Sequence, residues 1–161
     1  MKNTCAIFLL AFTSCYMFGC ATVEKVATFN SRIVAYGHFW TEANQNQLKE
    51  MYNKAQTAKK DGDTETYNKI SGAMQAKQKQ IHRQVFSNDK IDNVVADIKD
   101  NLAIIAKEAG VDIVVPDNTY DGKTAIDVTD KVVAIFNLNE KQLKTVNQLL
   151  KTKPVTLEQA E

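Results

Sequence analysis

The side chains that could make or break bonds are few. The 161 residues include three cysteines (Cys5, Cys15, Cys20) and two histidines (His38, His82). The histidines stand far apart, with no second cysteine or acidic pair at ligand spacing. A metal site needs three or four convergent ligands, so both histidines read as structural or surface residues. Ser31, Ser71 and Ser87 lie in no nucleophile-elbow pattern, and the sequence places neither histidine to activate them. Asp112, Asp117, Asp121, Asp127 and Asp130 cluster in the second half of the chain. Their spacing does not match a calcium loop, and turn and cap roles account for most of them. There is no Gly-rich loop to cradle a phosphate. The expectation is a protein that is not an enzyme and uses no cofactor and no metal.

Cys20 is the exception. Lys2 supplies one positive charge, and an apolar stretch runs from Cys5 to Phe18. It is too short and too early for a comfortable membrane span, so a secretory signal fits better. The stretch ends at Met17-Phe18-Gly19-Cys20, which resembles a bacterial lipobox, where a small residue precedes a cysteine that is acylated and becomes the new N-terminus. Phe18 is bulky for that motif. The rival reading is ordinary cleavage after Ala21. Loss of residues 1–19 removes Cys5 and Cys15 and leaves Cys20 alone. A lone cysteine cannot close an internal disulfide in an exported chain, and acylation gives it a role. Two or more acyl chains anchor firmly. The expected setting is a bacterial envelope, with the body in the periplasm and the anchor in the outer membrane.

The remainder must form the elements. With 44% apolar and 24% charged residues, 2 Pro and 6 Gly, it suits one compact domain. Residues 24–30 alternate loosely and predict a short strand. From Trp40 the period changes: Leu48, Met51, Tyr52, Ala55 and Ala58 recur at helical steps. Asp61-Gly62-Asp63 breaks this helix. Thr64 is placed to cap a second helix, striped by Tyr67, Ile70, Met74, Ile81 and Val85. Each helix is about 20 residues, or roughly 30 Å long, and so short a connection makes them antiparallel. Ser87-Asn88-Asp89 is read as a supply of capping side chains for a third helix, from Ile91 to Ala109, closed by Gly110. Val111–Val115 is a β-branched strand ended by Pro116. Residues 124–128 predict a returning strand, Thr129 caps a short helix to Phe136, and Asn139 caps a last helix to about Lys151.

The expected class is α+β, mostly α: a small β-sheet body with a projecting antiparallel α-helical hairpin arm. The expected division is a lipoprotein-type signal over 1–19, a domain over 20–138 with the hairpin at about 39–87, and a C-terminal helix and tail over 139–161. Charge is uneven. Residues 45–84 carry +4 and seven of the ten glutamines, while the rest of the chain after residue 19 carries −4. This marks either a distinct basic surface or a solvated helical face. The hairpin has too few apolar residues to be stable alone, so self-association along its stripe is the economical solution.

Residues 26–34 (Val-Ala-Thr-Phe-Asn-Ser-Arg-Ile-Val), 104–115 (Ile-Ile-Ala-Lys-Glu-Ala-Gly-Val-Asp-Ile-Val-Val) and 127–133 (Asp-Val-Thr-Asp-Lys-Val-Val), the last followed by Phe136-Asn137, together resemble the Skp/OmpH family of periplasmic chaperones. They are similar to its opening strand and first arm helix, its helix-Gly-strand return and its closing segment, over roughly residues 24–137. The resemblance implies a homotrimer with a β-rich body and coiled-coil-like arms enclosing a cavity for unfolded outer-membrane proteins. The arms here are shorter than is typical of that family, net charge after residue 19 is zero, and a lipid at Cys20 would tether the chain. On this reading Phe39, Trp40, Tyr52, Tyr67 and Phe86 form an apolar wall that touches clients, with Trp40, Tyr52 and Tyr67 as its client-binding residues. Lys54, Lys59, Lys60, Lys69 and Lys77 rim it and attract acidic segments. The bland alternative for these aromatics is packing between arm helices or subunits. Export argues against nucleic acid as a partner. The rival function is a non-catalytic envelope lipoprotein serving as adaptor for one specific protein.

Overall fold

The computed structural model describes residues 24–156; the signal and Cys20 assignments lie outside them. The fold is mostly helical around a small three-stranded parallel sheet. In chain order the elements are β1 (Val26–Phe29), α1 (Ser31–Phe39), α2 (Glu42–Lys60), α3 (Thr64–Phe86), α4 (Asp92–Ala109), β2 (Ile113–Pro116), β3 (Ile126–Asp127), α5 (Thr129–Ala134) and α6 (Glu140–Lys151), with a 3₁₀ turn at Asp117–Thr119 after β2.

β1 is the central strand. It pairs in parallel with β2, Val26 opposite Ile113 and Phe29 opposite Pro116, and with β3, Ala27 opposite Ile126. The returning strand expected over 124–128 is therefore a two-residue parallel edge. The chain reaches it through the 3₁₀ turn and the loop to residue 125. Ala27, Phe29 and Val114 point into the core with Ile33, Val34, Val94 and Val132.

The junction between β1 and α1 organises everything else. The Asn30 side chain accepts the Ile33 N–H (3.1 Å) as the helix N-cap, and its own N–H donates to Thr129 Oγ1 (2.8 Å). The Ser31 N–H donates to Asp117 (3.0 Å), and the Ser31 hydroxyl lies between Asn88 (2.6 Å) and Asp117 (2.8 Å). Arg32 is buried, its guanidinium donating to the carbonyls of Val85 and Thr152 at 2.8 Å each. Burial lowers its pKa, and the nearby Asp117 carboxylate opposes that shift.

Several local expectations need correcting. The helical stripe runs through Trp40, yet the chain breaks there. The carbonyl of His38 is taken by Thr41 Oγ1 (2.8 Å) and Asn44 Nδ2 (2.9 Å), and that of Phe39 by Gln45 Nε2 (2.8 Å). Side chains entering α2 thus terminate α1, as such groups do when they compete with the helical ladder. Asp63 rather than Thr64 caps α3, accepting the Thr66 N–H at 3.0 Å; hydrogen bonds from Thr66 hold its carboxyl below the usual range. Thr129 is the first residue of α5 rather than its cap, and Asp127 accepts both its N–H and its hydroxyl. Ser87, Asn88 and Asp89 do not cap α4, which starts after Ile91 without a side-chain cap. Asn88 takes positive φ (61°), and Asp89 accepts two hydrogen bonds from Arg83 at 2.7 and 2.9 Å. Gly110 does end α4 in the left-handed region (φ 67°), and Asn139 with Gln142 forms a capping box on α6.

Two glycines predict opposite outcomes. A Cβ on Gly37 would lie 2.4 Å from the ring of buried Phe136, whereas one on Gly72, exposed on α3, meets nothing within 4 Å. Gly37→Ala should lower stability by about 1–2 kcal/mol net, and Gly72→Ala should raise it by about 0.5–1 kcal/mol; urea midpoints at unchanged m-value read both.

A second prediction concerns acid. Arg83 hydrogen bonds hold the Asp89 carboxyl below its usual value. A depressed carboxylate stabilises the fold above its unfolded pKa of about 3.9, and that contribution is lost as pH falls through the folded value. Asp89→Asn should therefore lower the melting temperature at pH 6 and flatten its fall between about pH 4 and pH 2. An acid limb identical to that of the unsubstituted chain would refute the assignment.

Candidate functional site

A concave surface lies where the end of α1, α2 and α3 meet, a groove of about 670 Å³. Each helix contributes through its period. From α1 come Tyr36, Phe39 and Trp40, stacked edge to face with centroids 6.3 Å (Tyr36–Trp40) and 5.1 Å (Phe39–Trp40) apart. From α2 come Leu48, Tyr52 and Ala55. From α3 come Tyr67, Met74, Ile81 and Phe86, with His82 edge-on to Phe86 at 5.5 Å.

The groove exists because of what lies beside it. Ala55 and Ala58 are buried, and residues this small let the α2 and α3 backbones approach. The larger apolar groups are left facing outward: Trp40 is 38% exposed, Tyr52 54% and Phe86 42%. Exposed aromatics gathered in one concavity, with the amides of Gln56, Gln75 and Gln78 among them, have the chemistry that suits an apolar segment and its backbone groups. Such adaptable contacts favour apolar character over a particular sequence.

The eight expected site residues divide. Trp40, Tyr52 and Tyr67 all line the groove, from the end of α1, from α2 and from α3. The Lys59 ammonium stands 5.9 Å from the Tyr67 ring centroid, within cation–π reach. Lys60 is exposed, one turn beyond Gln56 on the same side of α2. Lys54 and Lys69 are exposed at positions not one turn from any lining residue. Lys77 belongs to the reverse side, where it donates to Gln47 and to Asn44 Oδ1 (3.4 Å). It acts as a strut between α2 and α3 and not as part of a rim.

Sequence reasoning did not include Tyr36, Met74, Lys49 or Lys79. Lys49 precedes Tyr52 by three residues, and Lys79 follows Gln75 by four and precedes His82 by three, so helical spacing from the aromatics could have found both. Tyr36 was hidden because the α1–α2 break was.

The histidines sit apart. His38 Nε2 is 2.9 Å from Asp97 Oδ2, linking the end of α1 to α4. Among the described residues no group of three or more His, Cys, Asp or Glu side chains could hold a metal ion. None of the described helices is long and apolar enough to cross a membrane. No family model matches the chain, and neither a curated protein nor a solved structure matches it.

An open aromatic groove should bind an apolar fluorescent dye in the native state. Replacing the two most exposed wall residues, Tyr52→Ser with Phe86→Ser, should reduce bound dye by about half or more, in proportion to the apolar area removed. Exposed positions of this kind shift stability by only about 0.5 kcal/mol each. An unchanged dye titration at an unchanged melting temperature would show that the groove is not where apolar molecules bind.

Proposed function

We propose that the protein is an ATP-independent holdase of the bacterial envelope, which binds unfolded outer-membrane or other envelope proteins and delays their aggregation. The observation that carries this reading is the half-exposed aromatic groove on a pair of long, polar helices attached to a small sheet body. In this proposal α2 and α3 are the projecting antiparallel hairpin arm of a Skp/OmpH-like fold, and the groove is its client face. Lys77 reaching Asn44 and Gln47, and Lys59 standing over Tyr67, support that pairing.

Weak apolar contacts to Trp40, Tyr52 and Tyr67 would hold a client segment, and Lys59 and Lys60 would attract acidic flanks. Such contacts recognise unfoldedness and let the client leave without a nucleotide cycle. No catalytic step, cofactor or nucleic acid enters the proposal. Cys20, acylated, would tether the protein to the outer membrane, with the body in the periplasm.

The sheet supports a homo-oligomer, with a trimer as the expected number. Parallel sheets are almost always covered on both faces. Here one face carries Val26, Thr28, Ile113 and Val115, none of them buried, and Ile113 at the edge is 41% exposed. A neighbouring subunit would cover that surface.

The alternative is a non-catalytic envelope lipoprotein that serves as adaptor for one specific protein. The bounded volume of the groove, about 670 Å³, favours it, being the size of one defined segment and not of a whole unfolded chain. Dilution of a urea-unfolded β-barrel protein into residues 21–161 separates the two. Suppressed light scattering with a three-to-one complex by native mass measurement is the expected outcome. Unchanged scattering from a well-folded oligomer, with one stoichiometric partner recovered from the envelope, would select the adaptor. A monomer at micromolar concentration would end the trimeric holdase reading.

A further inference from the structure

The groove has a length, a volume and a sign of charge, and together they describe an occupant. Its α3 wall runs from Tyr67 to Phe86, about 28 Å at the helical rise. An extended chain covers that distance in about eight or nine residues. A helix about 10 Å across would fill about 2,000 Å³ over the same length, or about 1,000 Å³ when seated to half its width. The groove offers about 670 Å³, so one extended chain suits it and a helix does not. An extended chain also carries N–H and C=O groups that need partners, and the amides of Gln56, Gln75 and Gln78 are among the lining to meet them.

The charge around the groove is of one sign. No acidic residue lines it, and the Lys59 ammonium stands 5.9 Å from the Tyr67 ring centroid. Around α2 the arc from buried Ala55 through Gln56 continues to exposed Lys49 and Lys60. Around α3 the arc from Met74 through Gln75 continues to exposed Lys79. The acids of these helices are elsewhere. Glu42 and Glu65 stand in the first turns of α2 and α3. Glu50, two residues from Tyr52, faces the opposite side of α2.

We propose that the groove takes one extended segment of eight or nine residues with alternate side chains apolar and carboxylates between them, and discriminates against the same segment carrying lysines. The apolar side chains seat against Trp40, Tyr52 and Tyr67, and the carboxylates lie beside Lys49, Lys59, Lys60 and Lys79. This inference rests on the reading of the groove as a client face, and it adds the class of segment that the face accepts. Exposed charge pairs are weak singly, so three of them separate an acidic from a basic segment about tenfold. Salt reduces that ratio, because the pairs are open to solvent.

Trp40 is the single tryptophan and lines the groove, so acrylamide quenching of its fluorescence reports occupancy. Two synthetic nonapeptides are titrated into the full chain. Both alternate phenylalanine or valine with polar residues; one carries three glutamates at the polar positions and the other three lysines. The glutamate peptide should protect Trp40 at about tenfold lower concentration, with the ratio falling as sodium chloride is raised to about 0.5 M. Lys59→Glu with Lys79→Glu should abolish or reverse the preference. Lys54→Glu with Lys69→Glu, an equal change of net charge away from the lining residues, should leave it intact. Equal protection by the two peptides, or equal effects of the two double variants, overturns the proposal. So does a helix-stapled form of the glutamate peptide that protects Trp40 as well as the extended one. Protection that grows with protein concentration in the absence of peptide also overturns it, because the occupant is then a second copy of the chain.

The same peptides keep this inference apart from the holdase reading. If the glutamate peptide binds selectively yet scattering of an unfolded β-barrel protein is unchanged, the segment assignment stands and the holdase reading falls. If scattering is suppressed while neither peptide protects Trp40, the holdase reading stands on another surface and the segment assignment falls.

Discussion

A buried arginine with no carboxylate in contact among the described residues is costly to fold around, and this chain carries one at position 32. The guanidinium is satisfied by main-chain oxygens, those of Val85 and Thr152, at the last turn of α3 and just past α6. Carbonyls at helix ends have lost their intrahelical donors, so each gains from the arrangement what the cation loses by leaving water. The two residues before Arg32 bind Thr129, Asn88 and Asp117. Three consecutive residues therefore fasten α3, the α3–α4 turn, the 3₁₀ turn, α5 and the C-terminal segment to the end of the central strand. Half-satisfied buried networks destabilise more than apolar substitutes do, so these bonds form together, and the elements they join adopt one mutual placement.

The groove inherits its shape from that junction. Because Arg32 fixes the start of α1 against the end of α3, Tyr36, Phe39 and Trp40 fall along α3 at the level of Ile81 and Met74. The amide-built break at Trp40 and Thr41 then redirects the chain. Without that break the stripe beginning at Trp40 would continue the line of α1, and α2 could not supply the wall carrying Leu48 and Tyr52. Gly37 contributes by letting Phe136 lie against the back of α1, so that the aromatics face away from the core.

What the sequence disclosed follows from the range of the forces involved. The helices from Glu42 onward, the left-handed stop at Gly110 and the Asn139 cap were legible because each depends on residues within about one turn. Five of the groove's aromatics, Phe39, Trp40, Tyr52, Tyr67 and Phe86, were legible for the same reason, as residues on or near a helical stripe. The long-range features were not. Arg32 meets its partners 53 and 120 positions away, and nothing local distinguishes it from a surface arginine. The break between α1 and α2 was invisible because Thr41, Asn44 and Gln45 read as ordinary polar positions until their targets are known. The direction of β3 was missed because two residues carry no alternation from which to read a partner. Lys77 was placed on the rim because its charge was read without its side of the helix.

The position of β1 also sets an order of events. The earliest-made strand among the described residues is the middle of the sheet, and both its neighbours come from late in the chain, at 113–116 and 126–127. A chain delivered from its N-terminus must hold Val26–Phe29 unpaired until residues 113–116 have followed. Helices fold on local contacts within about a microsecond, whereas pairings of such sequence separation are slow because the loop must close first. Helices α2 and α3 can thus form before the sheet does, whereas the groove waits for the bonds of Arg32 to Val85 and Thr152. For that interval the molecule is itself an unfinished protein with an exposed, β-branched strand.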